Sequence, residues 1–184
     1  MKRKTAKEIL AESFRELAER MPVNAITIRD ITKNCGYSTA TFYRQFHDKY
    51  DLIAWEYARR VSAIMDRIGE DGYSWRQTLI DGALLFDSER DYLANLLRHT
   101  SGHDSFVRYK VEINDCALRQ FILKTSGRDA LDEALDMCVR GYVLGTVNLT
   151  CEWILGRYHA SPEALAGVFE LMLPAPLREY LLPE

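Results

Sequence analysis

Apolar residues near the start of the chain recur at the spacing of an α-helix. Leu10, Phe14, Leu17 and Met21 are separated by four, three and four positions, so they lie on one helical face. Pro22 follows immediately and ends the predicted helix. This pattern predicts an amphipathic first helix that packs against a core.

A second helix is predicted to begin after Thr27. This residue stands at an N-cap position and Asp30 follows three residues later, as in a capping box. Ile28 and Ile31 supply the apolar face, and Gly36 is placed to end the helix in a left-handed turn.

Two further helix starts follow at short intervals. Ser38 is a suitable N-cap for a helix from Thr39 to Phe46, and Asp48 caps a fourth helix that runs toward Ile68. The second and third helices flank a tight turn. They therefore predict a helix-turn-helix, in which the second helix of the pair enters the DNA major groove.

The rest of the chain is also helical in pattern, with no alternating strand pattern. Apolar-periodic segments lie between turn signals at about 75–87, 89–98, 105–124, 130–155 and 162–173. The sequence therefore predicts an all-α fold. An N-terminal three-helix helix-turn-helix DNA-binding domain would occupy residues 1–50, with helix 4 as a connector to about 68. A C-terminal helical ligand-binding and dimerisation domain would occupy residues 51–184.

Charge is divided unevenly between these two parts. The whole chain has a net charge of −3, but residues 1–60 carry 12 Lys or Arg against 8 Asp or Glu. Residues 61–184 carry 12 against 19. The excess of basic residues in the first part favours binding to a polyanion such as nucleic acid. The acidic second part is expected to have a different function.

Candidate catalytic and metal-binding chemistry is sparse. No phosphate-cradling glycine loop, G-x-S-x-G or H-E-x-x-H motif is present, so no enzyme activity and no cofactor are expected. His99 and His103 are four apart, but Ser101 and Gly102 interrupt any helix that would align them, and no metal site is expected. The four cysteines form no C-x-x-C pair and no secretory leader opens the chain, so reduced thiols in a cytoplasmic protein are expected.

The predicted third helix has the residue types of a DNA-contacting surface. Phe42 and Phe46 are one turn apart and are expected to face the core. On the other sides, threonines offer hydroxyls and methyls, Arg44 can donate to guanine or phosphate, and the Tyr43 hydroxyl suits a phosphate oxygen.

Together these residues resemble the N-terminal pattern of TetR-type transcriptional regulators. The shared elements are Phe14, Thr27 with Ile31, Gly36-Tyr37-Ser38, the segment Phe42 to Phe46, and Lys49 with Leu52. The resemblance implies DNA contacts by Thr27, Ser38, Thr39, Ala40, Thr41, Tyr43, Arg44 and Lys49. Among these, Thr27, Thr39, Tyr43 and Lys49 would hold the backbone, and Thr39, Ala40, Thr41 and Arg44 would reach bases. The chain departs from the family pattern at Thr32, commonly alanine, and at Ala40, often glycine.

A short basic run precedes the first helix, comprising Lys2, Arg3, Lys4 and Lys7. It is either an arm that lies near phosphates or the minor groove, or an ordinary solvated terminus.

The resemblance also implies a homodimer, because the last two long helices of such regulators form a four-helix bundle with the partner. The matching segments are 134–156 and 161–173, and Arg140 and Glu152 argue against a membrane span in the first. Gly141 and Gly145 form a G-x-x-x-G pair that permits close helix approach. The predicted interface residues are Gly141, Gly145, Leu149, Trp153, Leu165 and Phe169. The segment "EWILGRYHASPEAL" also resembles a subgroup that includes regulators of dihydroxyacetone kinase genes.

Aromatic residues in the body are candidates for an effector pocket, although each is individually more typical of a core. They are Tyr57, Trp75, Phe86, Phe106, Tyr109 and Tyr142. The expected function is that of a homodimeric repressor, bound to a palindromic double-stranded DNA operator and released by a small-molecule effector. In the alternative, the body senses a partner protein. An enclosed cavity of several hundred Å3 would favour the small molecule, and a well-filled body the partner protein.

Overall fold

The structure, a computed structural model, describes residues 4–182. These residues form ten α-helices and two short 3-10 turns, at Val23–Ala25 and Gly102–Asp104, and contain no β-strand. The helices are α1 (Ala6–Ala18), α2 (Ile28–Asn34), α3 (Thr39–Tyr43), α4 (Lys49–Met65), α5 (Trp75–Ser88), α6 (Arg90–His99), α7 (Phe106–Ser126), α8 (Glu133–Ile154), α9 (Pro162–Leu171) and α10 (Ala175–Leu181). The all-α prediction is confirmed. Helix α10 was not predicted from the sequence.

Local capping interactions set the angle between α2 and α3. The Thr27 N–H donates to the Asp30 carboxylate at 2.9 Å, and the Asp30 N–H donates back to the Thr27 hydroxyl at 3.2 Å. Ser38 accepts from the Thr41 N–H at 3.1 Å and so caps α3. Gly36 has a φ of +73°, in the left-handed region that the tight turn requires.

Helix α3 is shorter than predicted and ends at Tyr43 instead of Phe46. The Gln45 N–H bonds to the Phe42 carbonyl three residues earlier at 2.8 Å, which tightens the last turn. Asp48 then caps α4 by accepting from the N–H groups of Tyr50 and Asp51.

The head, defined as α1 to α3 with the first turns of α4, has its own apolar core. Its large buried side chains include Leu10 and Phe14 of α1, Ile31 of α2, Phe42 of α3, Phe46 of the α3–α4 connection and Leu52 of α4. The predicted orientation of Phe42 and Phe46 is confirmed. Met21 is only partly buried, because α1 ends at Ala18 and Met21 lies in the following turn.

The body, defined as the remaining helices, packs chiefly through α4 on α7, α7 on α8, and α5 on α9. Helix α4 belongs to both parts, since its first turns contact α1 and its later turns contact α7. None of the helices in residues 4–182 is long and apolar enough to cross a membrane.

A partly buried ionic cluster, centred on the buried Glu56, joins head and body. Arg15 of α1 donates to Glu56 of α4 at 3.2 Å and to Glu89, between α5 and α6, at 2.9 Å. Arg60 also pairs with both carboxylates, and the Tyr92 hydroxyl donates to Glu56 at 2.9 Å. Burial, followed by the nearby Glu56 charge, raises the pKa of Tyr92 well above its ordinary value, so this phenol remains a donor.

The left-handed conformation at Gly36 generates a stability prediction. An added Cβ would meet no atom within 4 Å, so Gly36→Ala should destabilise only through backbone strain, by about 1–2 kcal/mol. The control is Gly82→Ala inside α5, which also has open space and should stabilise by about 0.5–1 kcal/mol. Urea unfolding measures both. Equal effects of the two variants would contradict the assigned role of Gly36.

The ionic cluster generates a second prediction. Glu56→Gln should lower the free energy of unfolding by about 2 kcal/mol, because two partly exposed guanidinium groups lose their charged hydrogen-bond partner and share Glu89 alone. The control is Glu12→Gln, which removes the exposed Lys4–Glu12 pair and should lower it by at most about 1 kcal/mol. If the two variants unfold at the same urea concentration, the cluster does not hold head and body together.

Candidate functional site

One face of α3 is open to solvent and carries the residue types expected at a DNA surface. Thr39, Ala40 and Arg44 are exposed, and Tyr43 is 60% exposed. The Tyr43 ring packs edge-on against buried Phe42, with ring centroids 5.8 Å apart. This contact anchors the aromatic body of Tyr43 while its face remains accessible.

The hydroxyl groups at the starts of α2 and α3 are engaged within the chain. Thr27 donates its hydroxyl to Asp30 at 2.6 Å, and this bond is the main reason that the pKa of Asp30 is lowered. The Ser38 and Thr41 hydroxyls are 3.0 Å apart, and Thr41 is only partly exposed. The DNA contacts predicted for these three residues remain predictions.

Lys49 has intramolecular partners that the sequence did not reveal. Its ammonium donates to the carbonyl oxygens of Val23, Asn24 and Ile26, at 2.9, 3.0 and 2.8 Å. Burial lowers its pKa from the usual value. Lys49 thus ties α4 to the 3-10 turn, and a phosphate contact would require it to exchange at least one of these carbonyls.

The basic run ahead of α1 is also engaged where it can be described. Lys4 pairs with Glu12 at 2.7 Å, and the Lys7 ammonium lies over the rings of Phe46 and Trp55, at 5.1 and 5.6 Å from their centroids. Lys2 and Arg3 lie outside the described residues.

The body contains a cavity between α4, α5, α7, α8 and α9. Its volume is about 130 Å3, below the several hundred Å3 typical of drug-sized ligands. Four of the six predicted aromatic residues line it: Tyr57, Trp75, Phe86 and Tyr142. The other two lie elsewhere. Phe106 is buried edge-on against Tyr57, and the Tyr109 hydroxyl lies 3.5 Å from Asp104.

Lys110 also lines this cavity and was missed in the sequence. It is 1% exposed and its ammonium has no hydrogen-bond partner. Burial lowers its pKa to about 8, and burial raises the pKa of nearby Cys151. The spacing of the sequence could have indicated that Lys110 is buried. Lys110 lies four residues after Phe106 and eight before Leu118, so it falls on the apolar face of α7.

The predicted dimer residues divide between surface and interior. Trp153, Leu165 and Phe169 are buried in the chain's own core, where the Trp153 indole donates to the Ala160 carbonyl at 2.9 Å. Their assignment as interface side chains is therefore corrected: Leu165 and Phe169 of α9 line the cavity, and the ring of Trp153 on α8 packs inside the chain against Arg90. Gly141 is exposed, whereas Gly145 and Leu149 are partly buried.

The outward surface of α8 and α9 is apolar at other positions. Its exposed large side chains are Met137, Leu144, Val168, Leu171 and Met172, with Leu171 at 81%. We call these five residues the outer face. Within residues 4–182 no group of three or more His, Cys, Asp or Glu side chains is placed to hold a metal ion.

Comparison with known proteins identifies the class to which this architecture belongs. Residues 9–54 match the family described as "Bacterial regulatory proteins, tetR family". This range spans α1 to the first turn of α4, and therefore the whole helix-turn-helix. No curated protein has a significantly similar sequence.

Several solved structures share the fold over nearly the whole chain. One is the "Dihydroxyacetone kinase operon activator DhaS", at 17% identity and a TM-score of 0.66, covering 96% of this chain and 98% of that one. Another is a TetR transcriptional regulator from Rhodococcus sp. RHA1, at 16% identity, a TM-score of 0.68 and coverages of 95% and 97%. A third is the TetR family repressor AlkX from Dietzia sp. strain DQ12-45-1b, implicated in biodegradation of n-alkanes. It has 16% identity, a TM-score of 0.60 and coverages of 98% and 100%.

Residues 9–54 therefore form a DNA-binding domain of the bacterial tetR regulatory family, and the chain as a whole has the fold of solved TetR-type regulators. Regulators of this family bind DNA through the helix-turn-helix, form dimers and are not enzymes.

Proposed function

We propose that this protein is a homodimeric cytoplasmic repressor that binds a palindromic operator and is released by a small-molecule effector. Residues 1–50 would bind DNA, and residues 51–184 would bind the effector and form the dimer. The proposed DNA binding is supported by the solvent-exposed face of α3. Thr39, Tyr43 and Arg44 are exposed on this face, whereas Phe42 is buried beneath it. Two-fold symmetry of the protein would require two-fold symmetry of the operator.

The dimer is supported by the outer face of α8 and α9. Five large apolar side chains are exposed on α8 and at the end of α9, and exposed apolar surface of this kind is typical of a protein interface. Gly141 lies exposed on the same side of α8 and has open space where a Cβ would stand, so a second helix could approach closely there.

The alternative is a regulator whose body senses a partner protein. Two observations favour it: the cavity of about 130 Å3 is smaller than a drug-sized site, and one protein of the same fold is described as an operon activator. The small-molecule proposal remains the stronger, because the cavity contains a buried lysine ammonium without a hydrogen-bond partner.

The exposed face of α3 generates a prediction about two kinds of DNA contact. Arg44→Ala should relax preference at particular base pairs by about 1–3 kcal/mol, as expected when a bidentate base contact is lost. Tyr43→Phe should weaken binding to all sequences alike, by about 0.5–1.5 kcal/mol, because a phosphate contact carries no sequence information. The operator is first identified by binding-site selection with purified protein. Fluorescence anisotropy then compares it with single-base variants.

Arg157→Ala is the matched control, since Arg157 is an exposed arginine of the body that pairs with Glu152 at 3.1 Å. It should bind DNA as the parent does. If Arg44→Ala weakens every sequence equally, Arg44 is a phosphate contact and the base readout must come from Thr39, Ala40 and Thr41. Parental binding by both α3 variants would reject this face as the DNA surface.

The outer face generates a prediction about assembly. Leu171→Glu places a charge on a side chain that is 81% exposed in the single chain, so it should leave the subunit folded and weaken dimerisation by more than about tenfold. Leu84→Glu on α5, at a position 45% exposed, is the control and should leave the dimer intact. Sedimentation velocity over a dilution series measures both. An unchanged dimer in Leu171→Glu would place the interface elsewhere.

A further inference from the structure

Lys110 is chemically unusual within the body. Only two buried side-chain nitrogen or oxygen atoms in residues 4–182 lack a hydrogen-bond partner, the Lys110 ammonium and the Trp75 indole nitrogen, and both residues line the same cavity. The Trp75 indole lies near the Tyr142 hydroxyl, but its N–H forms no hydrogen bond with it. Lys110 also takes part in none of the ion pairs formed among these residues.

Aromatic rings are the main neighbours of this ammonium. Its nitrogen lies 4.0 Å from the ring centroid of Phe86, 5.0 Å from that of Tyr57 and 5.7 Å from that of Phe106. The faces of these rings attract a cation, but they do not replace the hydrogen bonds that three N–H donors lose on leaving water. The site thus holds a positive charge that lacks an acceptor and a counterion.

The remaining polar groups of the cavity do not supply that counterion. The hydroxyls of Thr78, Thr146 and Thr150 donate to carbonyls of their own helices, at 3.1, 2.9 and 2.7 Å. The Asn114 amide donates to the Tyr57 hydroxyl at 2.7 Å. The other lining groups are predominantly apolar. A ligand that complements this site is therefore apolar over most of its surface and carries one negative charge.

The volume bounds the size of that ligand. A dry apolar cavity of about 150 Å3 admits benzene, so about 130 Å3 suits a ligand of about six non-hydrogen atoms or fewer, with the carboxylate included. We infer that the effector is a small monocarboxylate with an apolar body, whose carboxylate pairs with the Lys110 ammonium inside this cavity. This inference rests on the proposed function, because it takes the cavity as the effector site.

The position of the cavity provides a route from such a ligand to the DNA-binding head. Tyr57, which contacts Lys110, follows Glu56 directly on α4, and Glu56 holds Arg15 of α1. An anion that draws the ammonium away from the Tyr57 ring would act on the same turn of α4 that anchors the head.

The test uses the full chain with propanoate and butanoate as probes, measured by isothermal titration calorimetry. Both anions should bind, and the neutral analogues propanamide and butanamide should bind at least about tenfold more weakly. Lys110→Met should lose at least about tenfold in affinity for the anions. It should also melt at a higher temperature than the parent, because it removes a buried charge without a counterion. Lys124→Met, an exposed lysine of the same helix, is the control and should match the parent in both measurements.

The pH dependence provides a second readout. Besides Lys110, the titratable groups near this site are Tyr57 of α4, and Tyr142 and Cys151 of α8. Burial raises the pKa of all three, so they stay predominantly neutral from pH 6.5 to 8.5. Butanoate affinity should be constant below the Lys110 pKa of about 8 in the unliganded protein, and above it should fall by about tenfold per pH unit until the higher pKa of the anion-bound protein is reached. Affinity that is independent of pH up to 10 would overturn the pairing with Lys110.

The outcomes separate this inference from the proposed function. If neither anion binds, or if Lys110→Met binds them as the parent does, the inference is wrong, whether or not the protein binds its operator. If the anions bind through Lys110 but fail to release the operator in the anisotropy assay, the ligand site stands and the proposed regulation by it fails. Unfolded Lys110→Met protein would assign Lys110 a structural role and would also overturn the inference.

Discussion

The arrangement of head and body depends on the hydrogen bonds and ion pairs that the Glu56 carboxylate accepts. This carboxylate is buried, and a buried charge is tolerated only when its partners are complete. Arg15, Arg60 and Tyr92 supply those partners from α1, α4 and α6, so the three helices must meet at one point. Asn95 of α6 adds a neutral bridge, because its amide donates to the carbonyls of Ala18 and Met21 and accepts from the Val23 N–H.

Helix α4 is shared by the head and the body, because it carries Glu56 and contacts helices of both parts. Along one continuous helix, Lys49 secures the 3-10 turn of the head, Glu56 holds the junction, and Tyr57 lines the cavity. A packed helix of this kind does not deform continuously, so a ligand in the cavity would act by favouring one packing of the junction over another. The distance between the two DNA-binding helices of a dimer would then change through α4.

Lys110 shows how the cavity differs from an ordinary core. A filled apolar core at this point would need a leucine or methionine, and the buried ammonium reduces stability while it lacks an acceptor. A bound anion would remove that penalty. The same group would therefore make the empty site less stable and the occupied site selective for a negative charge.

The sequence by itself determined the local features of the head, since each depends on residues a few positions apart. The capping box of Thr27 and Asp30, the Ser38 cap and the left-handed Gly36 were all predicted, and so was the helix-turn-helix that they build. Helical periodicity likewise predicted the long helices of the body. Four of the six aromatic residues that the sequence offered as pocket candidates line the cavity.

Only the tertiary structure decided which groups meet across long stretches of chain. Lys49 bonds to carbonyls 23 to 26 residues away, and Arg15 reaches Glu56 and Glu89 at separations of 41 and 74 residues. The two-faced pattern of α8 and α9 could not indicate which face turns inward, and the structure buries Trp153, Leu165 and Phe169 while it exposes Leu171. Periodicity identifies a face of a helix, but the partner of that face is selected by packing of the whole chain, which no local pattern encodes.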